Sequence, residues 1–101
     1  TLRTVKTATV NDWKAICWAD GEIHMSKEYN GLEILDRVGG GDSFAAGLIY
    51  GLRTFENDTE ALEFAVAASC LKHSIPGDFN RVTVKEVETL MRGDGSGRVV
   101  R

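Results

Sequence analysis

The chain has 101 residues, 43% of them hydrophobic and only one a proline, which is the size and make-up of one globular domain with a single core. A formal charge of −3, with no stripe of Lys or Arg, argues against nucleic-acid binding. No apolar run is long enough to cross a bilayer and no charged-then-hydrophobic leader opens the chain, so the expectation is a cytoplasmic protein with no membrane partner.

In chain order, residues 1–10 offer one strand. Over residues 14–19, Lys14, Ile16 and Trp18 alternate with Ala15, Cys17 and Ala19; Asp20-Gly21 intervenes, and Ile23 and Met25 then alternate with His24 and Ser26. This pattern predicts a β-hairpin, because Asp-Gly tolerates positive φ at both central positions of a two-residue turn. Trp13 and Trp18 are read as core residues rather than a stacking platform. Cys17 and Cys70, far apart and without a second pair or a histidine cluster, are read as reduced core thiols.

After Gly39-Gly40-Gly41 the period lengthens. Phe44, Ala45, Leu48, Ile49 and Leu52 fall on one face of a helix continuing to about Arg53. A second helix is predicted over residues 58–73, capped by Asn57 or Asp58, with small and apolar residues on more than one face, so it should be sandwiched. Asn57-Asp58-Thr59-Glu60 is read as this cap and not as a metal element. Pro76-Gly77-Asp78 makes a turn, and Thr83 with Glu86 forms a capping box for a third helix that turns Val84, Val87, Leu90 and Met91 inward. Gly93 ends it, and residues 94–101 are expected to form a flexible tail. His24 falls on the polar face of the hairpin. His73 and Lys72 lie at a helix end, where the dipole favours cations, and that role is preferred to a phosphate contact for Lys72. Neither histidine is expected to be catalytic.

The chemistry concentrates in Ile34-Leu35-Asp36-Arg37-Val38-Gly39-Gly40-Gly41-Asp42-Ser43-Phe44. Glycines let a backbone approach an anion closely, and the unpaired N–H groups at a helix start stabilise negative charge. Asp42, within the first turn, could take a proton from a substrate hydroxyl beside such an anion site. Spacing alone leaves a second reading open, in which the glycines merely turn the chain and Asp42 caps the helix. A dinucleotide fingerprint is absent, since Phe44 stands where the last glycine of Gly-x-Gly-x-x-Gly belongs.

The run from Asp36 to Gly47 is similar to the second signature of ribokinase-like (PfkB) carbohydrate kinases, whose general pattern is D-T-x-G-A-G-D-x-F-x-x-G. This chain departs from it with Arg37 for Thr and Gly40 for Ala. Both departures, and Lys72-His73-Ser74-Ile75-Pro76-Gly77-Asp78-Phe79-Asn80 downstream, resemble the 2-keto-3-deoxygluconate kinase subgroup. The resemblance implies an α/β fold, the C-terminal part of a three-layer α/β/α sandwich built from a β-hairpin, further strands and three helices. It implies ATP-dependent phosphorylation of a sugar-acid hydroxyl, with Mg²⁺ carried by the nucleotide.

Asp42 would be the catalytic base, and the amides of Gly39, Gly40 and Gly41 the anion hole. Asp78 would meet the sugar hydroxyls or serve only as a turn residue. Asp36 and the Val38 carbonyl would hold a monovalent cation such as K⁺, or Asp36 would only end a strand. Thr1-Leu2-Arg3 resembles the end of a strand leading to a loop over the nucleotide phosphates, and the helix carrying Ala67, Ala68 and Ser69 the element flanking the adenine. The resemblance covers nearly all of the chain as a single partial domain but only part of the enzyme: the first glycine-rich signature, the lid strands and the Asn-x-x-Glu element are not in it. The alternative is therefore a non-catalytic nucleotide-binding or structural fragment, and bare edge strands imply self-association.

Overall fold

The computed structural model describes residues 1–75 and 82–93. The turn at Pro76-Gly77-Asp78, with Asp78 itself, and the tail 94–101 lie outside the described residues. Five strands, β1 (Leu2–Val5), β2 (Val10–Lys14), β3 (Ile16–Ala19), β4 (Glu22–Met25) and β5 (Tyr29–Glu33), precede three helices, α1 (Gly40–Thr54), α2 (Asp58–His73) and α3 (Val84–Met91).

The strand expected over residues 1–10 is β1, shorter than read, and a further strand that was not expected, β2, begins at Val10. β1 and β2 are antiparallel, Leu2 facing Lys14 and Val5 facing Asn11. The chain reverses between them because the Thr7 hydroxyl accepts from the amides of Thr9 (3.3 Å) and Val10 (3.1 Å), a local bond that competes with extended pairing. β5 joins the other edge of β2, giving the order β1-β2-β5 with a register shift between Asn11 and Trp13. The predicted hairpin is β3–β4, with Ala19 opposite Glu22 and positive φ at both Asp20 (52°) and Gly21 (80°), as its turn chemistry requires.

Alternation lets β3–β4 bury only one face. Cys17 and His24 pair on the half-buried side, where His24 Nδ1 lies 2.9 Å from Thr59 Oγ1 at the start of α2, so His24 is not on an open polar face. The pairs Ile16–Met25 and Trp18–Ile23 occupy the other face, which is exposed. Trp13 is core at 6% exposure, but Trp18, expected in the core, is 73% exposed. Trp18→Ser should therefore change the unfolding free energy by no more than about 0.5 kcal/mol, measured by urea denaturation.

α2 spans the predicted range, and Asn57 Oδ1 caps it by accepting from the Glu60 amide at 2.8 Å. It is sandwiched, with all but four of its residues buried, between α1, α3 and the strands. α3 carries the full capping box of Thr83 and Glu86. Val87 and Met91 enter the core cluster and Leu90 packs against it, whereas Val84, expected inside, stays 43% exposed in the first turn.

α1 departs most from expectation. Its buried residues are Gly40, Ser43, Gly47 and Gly51, while Ala45, Ile49 and Leu52 are exposed. The glycine stripe faces α2 because the helices approach so closely that a Cβ at Gly47 would lie 3.1 Å from Ala65 Cα, and one at Gly51 2.8 Å from Ala61 Cα. No larger side chain fits that seam.

Candidate functional site

The glycine loop hangs between the end of β5 and the end of α2. Ile34 is buried and its amide donates to Thr9 O at 2.7 Å. The amides of Leu35 and Asp36 both donate to the His73 carbonyl, at 2.9 and 3.1 Å, so the last residue of α2 anchors the loop. Asp36 Oδ1 then accepts the Val38 amide at 2.9 Å, turning the chain toward the glycines.

Gly39 takes φ 84° and ψ −1°, the left-handed region that glycine enters without steric cost, and it is the N-cap of α1. The first helical bond runs from Ser43 N to Gly39 O (2.9 Å), and the Gly40 amide donates back to Arg37 O (3.2 Å). Amides in a first turn have no carbonyl four residues behind them, and among the described residues no side chain caps them. Asp42 does not cap the helix: it sits in the first turn with its side chain exposed. An uncapped helix start with an exposed carboxylate beside it can hold an anion and accept a proton next to it.

Beneath the loop lies a residue that sequence reasoning placed differently. His73 is fully buried, so the expected imidazolium at a helix end does not form. Burial first, and then the nearby cations Arg3, Arg37 and Lys72, hold its pKa below the ordinary value against the opposing bond to Ser69. Nδ1 lies 2.6 Å from the Ser69 carbonyl, which can only accept, so Nδ1 carries the proton and Nε2 presents a lone pair to Arg3 Nη2 at 3.0 Å. Trp13 packs edge-on against this ring, and its indole N–H donates to Ser69 Oγ at 2.7 Å.

The ring also explains the glycine at position 40. A Cβ there would lie 3.1 Å from His73 Cε1 and 3.3 Å from Nε2, so the alanine of the general pattern would press on the imidazole. Because the folded state depresses the His73 pKa, its neutral form stabilises the chain above the unfolded value of about 6.5, and that contribution is lost as pH falls below it. The melting temperature should therefore fall between about pH 7.5 and 5.5, and His73→Gln should flatten the profile.

Lys72 is fully buried and its Nζ donates to Ile75 O at 2.9 Å, securing the end of α2. Arg37, singled out in the sequence only as a departure from a pattern, bonds Ala8 O (2.8 Å) and Asn11 Oδ1 (3.2 Å), tying the loop to the β1–β2 turn. Asn11 carried no local signal, and Arg3 entered the sequence reading only as part of Thr1-Leu2-Arg3. The structure thus brings Asp36, Val38, Gly39, Gly40, Gly41 and Asp42 into one loop, with Arg3, Arg37 and His73 against it. Among the described residues no group of three His, Cys, Asp or Glu side chains could hold a metal ion, and no helix is long and apolar enough to cross a membrane. A cleft of about 470 Å³ between α2 and α3, lined by Lys27, Thr59, Glu60, Glu63, Met91 and Arg92, shares no residue with the loop.

The pfkB family carbohydrate kinase family matches residues 12–81. The chain is similar to the 2-dehydro-3-deoxygalactonokinase of Haloferax volcanii, 34% identical over 65 residues that make up 64% of this chain and 20% of that protein. Among solved structures, it resembles the 2-dehydro-3-deoxygluconokinase of Thermotoga maritima with a TM-score of 0.85 and 48% identity, over 91% of this chain and 28% of that one. A PfkB family carbohydrate kinase from Listeria grayi gives a TM-score of 0.85 and 37% identity, over 91% and 29%. The chain thus spans less than a third of the length of each of these relatives. Its strands and helices are part of a ribokinase-like α/β fold. With most of its residues inside the family's match and that fold shared at this identity, the chain belongs to the pfkB family of carbohydrate kinases.

Proposed function

We propose that the chain forms the phosphoryl-transfer face of an ATP-dependent, cytoplasmic kinase for a sugar acid, 2-keto-3-deoxygluconate. The observation that carries this reading is the uncapped start of α1 on left-handed Gly39 with Asp42 exposed in its first turn. Kinase chemistry needs an anion site and a base side by side, and little covalent participation from the protein.

Asp42 accepts the proton of the attacking sugar hydroxyl. The amides of the Gly39-Gly40-Gly41 turn face the developing charge on the transferred group; Gly40's is shared with Arg37 O, and Gly41's lies in the first turn of α1. ATP, when bound, supplies the phosphoryl group. Mg²⁺ would come with the nucleotide phosphates. Asp78 is assigned to the sugar hydroxyls, and Asp36 with the Val38 carbonyl to a monovalent cation such as K⁺.

The test is a chimera in which these 101 residues replace the matching segment of the Thermotoga maritima protein. Transfer of labelled phosphate from ATP to 2-keto-3-deoxygluconate is expected; a folded chimera without transfer sinks the reading.

A second reading, that these 101 residues alone bind nucleotide without turnover, is favoured by the apolar faces left open at Trp18 and Ile23 and at Ile49 and Leu52. Calorimetric titration of the chain with Mg·ATP separates the two, since this reading predicts heat of binding with no sugar phosphate formed. The same faces imply self-association of the chain, which a monomer at high concentration in sedimentation would refute.

A further inference from the structure

Two arginines meet on one neutral atom. Asn11 Oδ1 accepts Nη1 of Arg3 at 2.5 Å and Nη2 of Arg37 at 3.2 Å. The buried Asn11 amide cannot turn away, because its Nδ2 donates to Thr7 O at 3.2 Å. Among the described residues no carboxylate forms an ion pair with either arginine: the ion pairs there join Lys6 to Asp12 and Lys14 to Glu28. Asp12 also accepts the Gly31 amide, and Asp36 the Val38 amide.

Two guanidiniums sharing a single dipolar acceptor repel each other, a cost that an anion between them would remove. Their forks also match the geometry of phosphate oxygens. Among the described residues nothing bonds Nε or Nη1 of exposed Arg37.

The pair lies beside the glycine turn. His73 Nε2 is 3.0 Å from Arg3 Nη2 and 3.3 Å from the Cβ position of Gly40, so Arg3 and the first turn of α1 flank the same ring nitrogen. Arg37 precedes the turn and its carbonyl holds the Gly40 amide. His73, neutral, adds no charge and serves as a spacer. Arg3 is held in place by the face of Trp13, 4.5 Å from its guanidinium carbon.

We propose that Arg3 and Arg37 form a two-guanidinium clamp that grips the polyphosphate chain of the nucleotide beside the start of α1. This rests on the kinase reading only for the identity of the ligand; the clamp itself is a property of the pair. Arg37, standing where the general pattern has threonine, would be a residue by which this chain holds phosphate differently.

The experiment is calorimetric titration of the 101-residue chain with inorganic pyrophosphate, for wild type, Arg37→Gln, Arg37→Lys and Arg53→Gln, with near-ultraviolet circular dichroism confirming each fold. Arg53, in the last turn of α1, is the equal-charge control. Arg37→Gln is expected to weaken binding by about tenfold or more and Arg37→Lys by less, since lysine keeps the charge but loses the fork, whereas Arg53→Gln should stay within about twofold. Sodium gluconate, a singly charged carboxylate, should bind far more weakly than pyrophosphate.

No binding of pyrophosphate to wild type at millimolar concentration, an equal loss in Arg53→Gln, or gluconate binding as tightly as pyrophosphate would each overturn the clamp. Should Arg37→Gln fail to fold, the same titration on Arg3→Lys decides: retained affinity refutes a role for the fork of Arg3. These readouts need no turnover, so a failed clamp and a chimera without transfer are separate results.

Discussion

Asp42→Asn is expected to lower kcat for 2-keto-3-deoxygluconate phosphorylation by about 10²–10⁴-fold in the chimera, the range that general base catalysis contributes. Asn keeps the volume and hydrogen-bonding reach of Asp but cannot take the hydroxyl proton. Asp42 is exposed, and it is not the cap of α1, so the substitution leaves the fold nearly untouched. The lost carboxylate at the helix start costs stability on the order of 0.3–1 kcal/mol through the dipole. Removing a negative charge beside the phosphates should leave the KM for ATP unchanged or lower it. The decisive pattern is therefore a collapse in kcat with an almost unchanged melting curve and no rise in KM. A variant turning over within tenfold of the parent would remove Asp42 from the base role, and one that melts far earlier would make it structural.

Gly51→Val is expected to destabilise the chain by about 3 kcal/mol, the upper part of the overpacking range, measured as a drop in the urea midpoint at constant slope. Its Cβ would lie 2.8 Å from Ala61 Cα and 3.1 Å from both Ala61 Cβ and Ala61 O, and backbone atoms of a buried helix cannot step aside as a flexible side chain could. Helix propensity works the other way, since glycine is the worst helix former after proline, by up to about 1 kcal/mol. The clash must outweigh that gain. Gly41→Ala separates the two terms: nothing lies within 4 Å of its Cβ position, so only the propensity term remains and the sign should reverse. Equal and small effects at both sites would mean that α1 and α2 are not in contact at this seam. A domain of this size is stable by about 5–15 kcal/mol, so a 3 kcal/mol loss is easily resolved.

The features legible in the sequence are those decided within a few residues. The Asp20-Gly21 turn needs only two residues that tolerate positive φ, and both have it. The start of α2 needs only the Asn57 side chain and the Glu60 amide, and that of α3 only Thr83 and Glu86, so both caps stand where they were read. The glycine turn into α1 is legible for the same reason: its bonds from Gly40 to Arg37 and from Ser43 to Gly39 span three and four residues. Asp42 was found as a candidate through this local pattern.

Tertiary structure decided which surfaces face which. Hydropathy assigned α1 an inward stripe including Ala45, Ile49 and Leu52, yet the helix buries its glycines, because a close approach to Ala61 and Ala65 is set by the absence of side chains, to which a hydrophobicity pattern is blind. Both tryptophans were read as core by residue type, but Trp13 on β2 lies against α2 while the Trp18 face of the hairpin is uncovered, so one tryptophan is core and the other exposed. His73 lost the charge its helix position favours because burial and the arginines around it outweigh a dipole worth at most about 2 kcal/mol. Arg3, Asn11 and Arg37 meet only because β1, β2 and the loop after β5 converge. By itself the sequence determined the Asp20-Gly21 turn, the helix caps and the glycine loop, whose bonds close locally. The burial of glycine, the neutrality of a histidine and the meeting of two arginines depend on partners distant in the chain, and only the folded structure brings those together.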